Sequence, residues 1–325
     1  MSQPLVTIVT PSYNQAEYLE ATIQSVLAQN YPNLEYLVVD GGSTDGSVEI
    51  IEKYADRISW WVSEPDQGQA EAINKGLRRA RGELVAWLNS DDLYLPGAIH
   101  EAVAALEANP ALGLVFGEAL TIDLLGQPLK QLTFGAWGLS ELMRFRIICQ
   151  PAVFMRRSAL EQVGILDENF HFMLDHHLWL RIADVAPIQY IPQLWAAARY
   201  HPAAKNVAQA AAFADETYRV LSWLETNPIF RIHFQTDRRH ILGGANRLAG
   251  RYLLDGSLPG PALKAYSKAF FYWPGYTLKH WKRMAYALGS ILSKGKLVAP
   301  TRREPPQLQK LRLQNWPGIK LTPEP

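Results

Sequence analysis

Apolar runs and apolar stripes alternate along the first 118 residues. Residues 5–10 form a short run of apolar and β-branched residues, as in a strand buried on both faces. Residues 18–29 then place Leu19, Ile23, Val26 and Leu27 on one side of a helix. The alternation continues. Residues 34–39 predict a strand ending at Asp40, and Val48, Ile50 and Ile51 predict a helix. A strand follows over 58–62, a helix carrying Ala70, Ile73 and Leu77, and a strand over 84–88. Pro96 fits the first turn of a helix running to about Asn109, and residues 114–116 make a fifth strand. This order predicts an α/β fold: a Rossmann-like, mostly parallel sheet flanked by helices.

Beyond residue 118 the alternation is lost. A strand pair (119–123 and 129–133) flanks Gly126-Gln127-Pro128. A helix over 139–145, a strand over 151–155, a helix over 175–186 and a strand over 188–191 follow. An insertion of this kind beside a parallel sheet builds a substrate pocket. Residues 207–290 read as helical, with turns at Asn227-Pro228, 256–260 and Pro274-Gly275. Residues 300–325 include six prolines and read as an extended tail. The expected division is 1–205 for the α/β domain, 206–299 for a helical region and 300–325 for the tail.

Composition narrows the classes. Of 325 residues 48% are hydrophobic, which excludes a mainly disordered chain. The one cysteine, Cys149, excludes an internal disulfide and a multi-cysteine metal site. The start of the chain has no basic, apolar leader, and no run is long enough to cross a membrane, so a cytoplasmic location is expected. A net charge of +1 conceals an asymmetry. Residues 231–325 carry 17 Lys+Arg against 4 Asp+Glu, leaving 15 against 27 in residues 1–230. Phe270-Phe271-Tyr272-Trp273 lies among Lys264, Lys268, Lys279, Lys282 and Arg283. Such a mixture suits peripheral contact with the inner face of a membrane, or a helical region whose lysines are simply solvated. No nucleic-acid reading motif accompanies the charge, so no nucleic-acid partner is expected.

The polar strand ends carry the chemistry. In an open parallel sheet, ligands bind beyond the carboxyl ends of the strands. Four loops there read Pro11-Ser12-Tyr13-Asn14, Asp40-Gly41-Gly42-Ser43-Thr44-Asp45, Glu64-Pro65-Asp66-Gln67-Gly68 and Asn89-Ser90-Asp91-Asp92. Asp40 at a strand end suits a ligand, whereas Asp45 suits a helix N-cap. Adjacent carboxylates at Asp91 and Asp92 repel unless a cation relieves them, and oxygen ligands suit Mg²⁺ or Mn²⁺. The first strand–helix turn has no Gly-x-Gly-x-x-Gly, which argues against a nicotinamide cofactor.

These motifs in this order resemble the family 2 nucleotide-sugar glycosyltransferases, inverting enzymes of the GT-A fold. The matching elements span 6–14, 38–45, 63–76 and 88–92, and the likeness reaches over roughly 4–205. It implies a nucleotide-sugar half at 1–118 and an acceptor half at 119–205. It assigns nucleotide-sugar contacts to Pro11, Tyr13, Asn14, Asp40, Asp66, Asn74, Ser90 and Gln150. Asn89-x-Asp91 stands where the family has Asp-x-Asp, so Asp91 would hold the divalent cation, with Asp92 and His201 as further metal ligands. His201 comes from Arg199-Tyr200-His201, which resembles a late Arg-x-His element, where a histidine completes the metal shell or, with Lys205, contacts the diphosphate. Asp175, in Leu174-Asp175 where relatives read Glu-Asp, would be the base that deprotonates the acceptor. His176 and His177 read as metal ligands or, more simply, as one acceptor-facing and one packing residue. The implied reaction moves a sugar from a nucleotide-diphosphate sugar, UDP-linked, to a hydroxyl acceptor such as a lipid-linked glycan in polysaccharide and cell-envelope assembly. Asn89 and Leu174 depart from the family pattern and keep open a non-catalytic nucleotide-sugar-binding or scaffold role. A triphosphate-using nucleotidyltransferase would need a Gly-rich, basic first loop, which 11–15 lacks.

Overall fold

The computed structural model describes residues 3–293 and 316–319. Most of the expected tail, 300–315 and 320–325, lies outside the described residues. Contacts divide the chain into two units. The first takes residues up to 138, then 148–200 and the short piece at 316–319; the second takes 139–147 and the described residues from 201 to 293.

The first unit is built on one sheet. Its strands are β1 (Val6–Ser12), β2 (Leu34–Asp40), β3 (Trp60–Ser63), β4 (Leu84–Trp87), β5 (Leu93–Tyr94), β6 (Leu114–Ile122), β7 (Pro128–Leu132), β8 (Val153–Arg156) and β9 (Ile188–Arg199). They lie in the order β3-β2-β1-β4-β8-β6-β9-β5, with β7 on β6. Pairing is parallel across β3-β2-β1-β4 and between β6 and β9, while β8 runs antiparallel between β4 and β6. Helices α1 (Ala16–Leu27), α2 (Ser47–Lys53), α3 (Gln69–Arg79) and α4 (Ala98–Ala108) follow the early strands. The core gathers Val6, Ile8, Leu19, Ile23, Val38, Ile51, Leu84 and Leu88, the positions that the apolar pattern marks.

Register aligns the loops. Ser12 stands beside Asp40, and Asp40 beside Ser63, so three strands end on one line. α3 rests directly on β1: a Cβ on Gly76 would come within 2.4 Å of Val9 Cγ1.

Several expectations need correction. Pro96 lies in a turn before α4, not in its first turn. The strands expected at 114–116 and 188–191 run on to Ile122 and Arg199, because they pair with each other along that length. β5, two residues long, carries no sequence signal and exists through its pairing with β9. The acceptor-side segment also splits. The second unit begins with α5 (Leu139–Met143), while α6 (Arg157–Val163) and α7 (Leu174–Val185) belong to the first unit. Stacked Trp87 and Trp179, with ring centroids 5.1 Å apart, tie α7 to β4.

The rest of the second unit is α8 (Lys205–Ala208), α9 (Ala210–Thr226), α10 (Arg231–Asp255), α11 (Pro259–Tyr272), α12 (Pro274–Thr277) and α13 (Trp281–Leu292). Arg144 Nε meets Asp237 at 2.5 Å, and buried Arg247 donates to the Phe145 carbonyl at 2.8 Å, which fixes 139–147 within this unit. No helix among the described residues is long and apolar enough to cross a membrane.

Candidate functional site

The loops after β1 and β2 are stitched together by side chains. Asn14 N donates to Ser43 Oγ at 2.8 Å, and Thr44 N to Asn14 Oδ1 at 3.0 Å. Asp45 Oδ2 accepts from Ala16 N at 2.9 Å, and its Oδ1 accepts from Ser47 N at 3.1 Å and Ser47 Oγ at 2.6 Å. One carboxylate thus accepts from the first N–H of both α1 and α2, although the N-cap positions are Gln15 and Gly46. Burial pushes the Asp45 carboxyl up, but these donors outweigh it and hold its pKa below the usual value.

Asp40, expected to meet the nucleoside, is fully buried and turned into its own loop. Its Oδ2 accepts from Gly42 N, Ser43 N and Ser63 Oγ at 3.1, 2.8 and 2.7 Å, and its Oδ1 from Ser43 Oγ at 2.6 Å. The acid shapes the turn. Asp66 comes close beside it: a Cβ on Gly41 would lie 2.7 Å from Asp66 Oδ2, so glycine is what admits this carboxylate. Burial raises the pKa of Asp66 against the pull of the Gly68 N–H, and the charges of Glu71 and Asp40 add to the rise. Tyr13 is 61% exposed at the same edge, and Pro11 is buried in β1 opposite Val39.

Asn74 is not at this surface. It is buried in α3, donating to the Leu166 carbonyl and Glu168 and accepting from Leu166 N, so its amide is consumed as a latch. That replaces the expected sugar-nucleotide contact.

The loop after β4 is held from every side. Asn89 Nδ2 donates to Gln150 Oε1 at 3.2 Å and to Asp92 Oδ2 at 3.3 Å, and Gln69 Nε2 donates to Asn89 Oδ1 at 2.7 Å. Gln150 in turn donates to the Trp87 carbonyl at 2.8 Å, which makes it a brace of the loop. Thr22 Oγ1 lies 2.9 and 2.8 Å from the carbonyls of buried Ser90 and Asp92. Arg199 donates from Nε to the Asp91 carbonyl at 3.0 Å, and its guanidinium sits over the Tyr18 ring. Gln69 and Thr22 escaped the sequence reading. The available signal for Thr22 was a hydroxyl on the apolar stripe of α1.

These bonds decide what could hold a cation. Asp92, expected beside Asp91 as a ligand, is buried instead. Its Oδ1 accepts from Arg199 N at 3.0 Å, and burial, then the charge of Asp91, raises its pKa well above the ordinary aspartate value. Asp91 stands half-buried in the same loop. His201 is buried in the second unit, where its carbonyl accepts from Ala204 N. No group of three or more His, Cys, Asp or Glu forms a metal cage among the described residues. A hard cation such as Mg²⁺ or Mn²⁺ is commonly held by one or two carboxylates together with phosphate oxygens and water. Asp91 fits that mode.

Asp175 sits in the first turn of α7, its Oδ1 accepting from His176 N at 2.7 Å. Cys149 links it to the acidic loop: burial, then the carboxylates of Asp92 and Asp175, raise the thiol's pKa. Both acids therefore lie within electrostatic reach of one side chain. His177 packs rather than ligates, stacked on Phe170 at 4.4 Å. Burial, aided by Arg181 and opposed by Asp167, drives its pKa down to about 4.

Comparison with known proteins follows the same residues. Residues 7–164 match the family model described as "Glycosyl transferase family 2". An uncharacterized glycosyltransferase of Rickettsia felis is 32% identical over 208 residues, 61% of this chain and 34% of that protein. TuaG of Bacillus subtilis, named as a candidate teichuronic acid biosynthesis glycosyltransferase, is 46% identical over 95 residues, 28% of this chain and 38% of that protein. This chain spans about a third of the length of the first curated relatives it matches. Among solved structures, S. aureus TarS 1-349 in complex with UDP-GlcNAc superposes with a TM-score of 0.57 at 16% identity, over 93% of this chain and 98% of that one. Mannosyltransferase PcManGT from Pyrobaculum calidifontis, in complex with GDP-Man and Mn2+, gives 0.59 at 21% identity, over 91% and 88%. At such identities the two structures establish the fold, GT-A.

Proposed function

The chain belongs to the family 2 glycosyltransferases through residues 7–164, and from that premise we propose that it is an inverting, cation-dependent enzyme. It takes a sugar from a nucleotide-diphosphate sugar, UDP-linked, and places it on a hydroxyl acceptor in polysaccharide assembly. The observation that carries this reading is the alignment of the polar ends of β1, β2 and β3 on one line, beside the loop after β4 that holds Asp91, with Asp92 of that loop and Asp175 of α7 both acting on the Cys149 thiol. The relatives add support: one is named for teichuronic acid biosynthesis, and two structural neighbours hold UDP-GlcNAc and GDP-Man.

Each residue then has a task. Tyr13 offers an exposed ring for a base to lie against. Asp66, half-buried beside Gly41, would offer a carboxylate oxygen to the nucleoside. Asp91 would hold a Mg²⁺ or Mn²⁺ ion, which when bound neutralises the diphosphate as a leaving group. Asp175 takes the proton from the acceptor hydroxyl. The hydroxyl oxygen bonds to the anomeric carbon as the bond from that carbon to the diphosphate oxygen breaks on the opposite face, inverting the configuration. The proposal places the reaction in the cytoplasm.

Calorimetric titration of UDP, GDP and dTDP, each with and without Mn²⁺, tests the reading on the natural protein and on Asp91→Ala. Binding of UDP that needs both the ion and Asp91 is expected. A folded protein that binds none of the three returns the chain to the scaffold role.

A further inference from the structure

α13 carries more large apolar side chains outward than a helix in water normally does. A surface helix normally buries its large apolar side chains and exposes its polar ones. Here the buried side carries Ala287, clustered with Leu254, Ala262 and Tyr266, together with buried Ser290 and half-buried Met284 and Tyr286. The outward side carries Trp281, Ala285, Leu288 and Leu292, spaced four, three and four residues apart. These recur on one helical face. Leu278, in the short 3₁₀ turn just before, continues the stripe. The large members are 53% (Leu278), 58% (Trp281), 48% (Leu288) and 76% (Leu292) exposed.

The charge around this stripe has one sign. Residues 259–293 contain Lys264, Lys268, Lys279, Lys282 and Arg283 and no aspartate or glutamate. Lys279 and Lys282 are exposed and adjoin the stripe in sequence, and Arg283 is tied back to Asp255 at 2.7 Å. A two-fold contact between copies through the stripe would bring lysines of like charge together. A bilayer bearing anionic lipid satisfies both features at once, since aromatic and aliphatic side chains enter the headgroup boundary while lysines meet lipid phosphates.

We propose that α13, with the turn before it, is a membrane-surface helix that lies flat on an anionic lipid bilayer through Leu278, Trp281, Leu288 and Leu292. The helix sets where the chain works and does not depend on which sugar or nucleotide it uses.

Flotation of the full chain with vesicles tests this. Vesicles of phosphatidylglycerol mixed with phosphatidylcholine are expected to carry the protein up, and pure phosphatidylcholine vesicles are not. Replacing Lys279→Gln and Lys282→Gln together is expected to weaken binding about 30-fold, from roughly 1 kcal/mol per cation at a charged surface. Leu288→Glu with Leu292→Glu is expected to abolish it. Both positions are exposed, so an unchanged thermal melt confirms the fold of that variant. No flotation of the natural protein, equal flotation with neutral vesicles, or a dimer that the double glutamate variant splits into monomers overturns the proposal. Nucleotide titration of the same variant reads the sugar-transfer site separately, so either reading can fail alone.

Discussion

Asp45 starts two helices with one carboxylate, and its replacement should show it. Asp45→Ala is expected to cost about 1–2 kcal/mol near neutral pH by stranding the N–H groups of Ala16 and Ser47. Its folded pKa is depressed, so this stability is present above the unfolded value near 4 and is lost as pH falls through the folded one. Denaturant melts of both proteins should therefore converge in acid. His177 follows the same sign by another route. Its folded pKa of about 4 lies below the unfolded value near 6.5, so the unfolded chain takes up the proton first. Stability is complete above that unfolded value and falls by up to roughly 3 kcal/mol toward pH 4. His177→Phe, stacked on Phe170, is expected to flatten this slope in melts across the range. At the reacting centre, Asp175→Asn should lower kcat about 10²–10⁴-fold while donor binding survives, as loss of a general base requires. Near-normal turnover in that variant would remove Asp175 from the mechanism.

Elements meet through what their residues lack as much as through what they carry. α3 touches β1 because Gly76 presents no side chain to Val9. Gly76→Ala is expected to push the helix outward and cost about 1–3 kcal/mol as overpacking, read as a lower melting temperature. The same shift would move Gln69 at the start of α3 away from Asn89, so the cation-dependent affinity for nucleotide should fall with stability. The early strands were legible because each is a short apolar run ending at a polar loop. β5 was not, since two residues have no period to read, and only β9 gives them a partner.

Across the whole molecule, the chain leaves the first unit at residue 139 and returns at 148. Arg144 and Phe145 spend their polar groups on Asp237 and Arg247, a hundred residues later in effect. A chain ended at Tyr200 strips those partners away while keeping every strand of the sheet. It is expected to aggregate on expression. Replacing 139–147 by a short Gly/Ser linker in that truncated chain is expected to restore solubility, measured as the soluble fraction after lysis.

Strand–helix order, four polar loops and the acids within them follow from sequence alone, because apolar period and turn chemistry are local properties. Local signals also marked Asp45 as a residue of the helix start, and left open which of His176 and His177 packs. The direction in which each acid faces is not local. Asp40 turns into its own loop because Ser63 arrives from β3, and Asp92 turns inward because Arg199 arrives from the end of β9. Asn74 was legible as a polar residue near the site, yet Leu166, far along the chain, claims its amide. A carboxylate that meets donors folded in from elsewhere, as Asp40 and Asp92 do, shapes a loop. The sequence by itself determined which residues gather at the strand ends. Only the tertiary structure decided which of them face each other, since hydrogen-bond partners many residues away are chosen by the packing of the sheet.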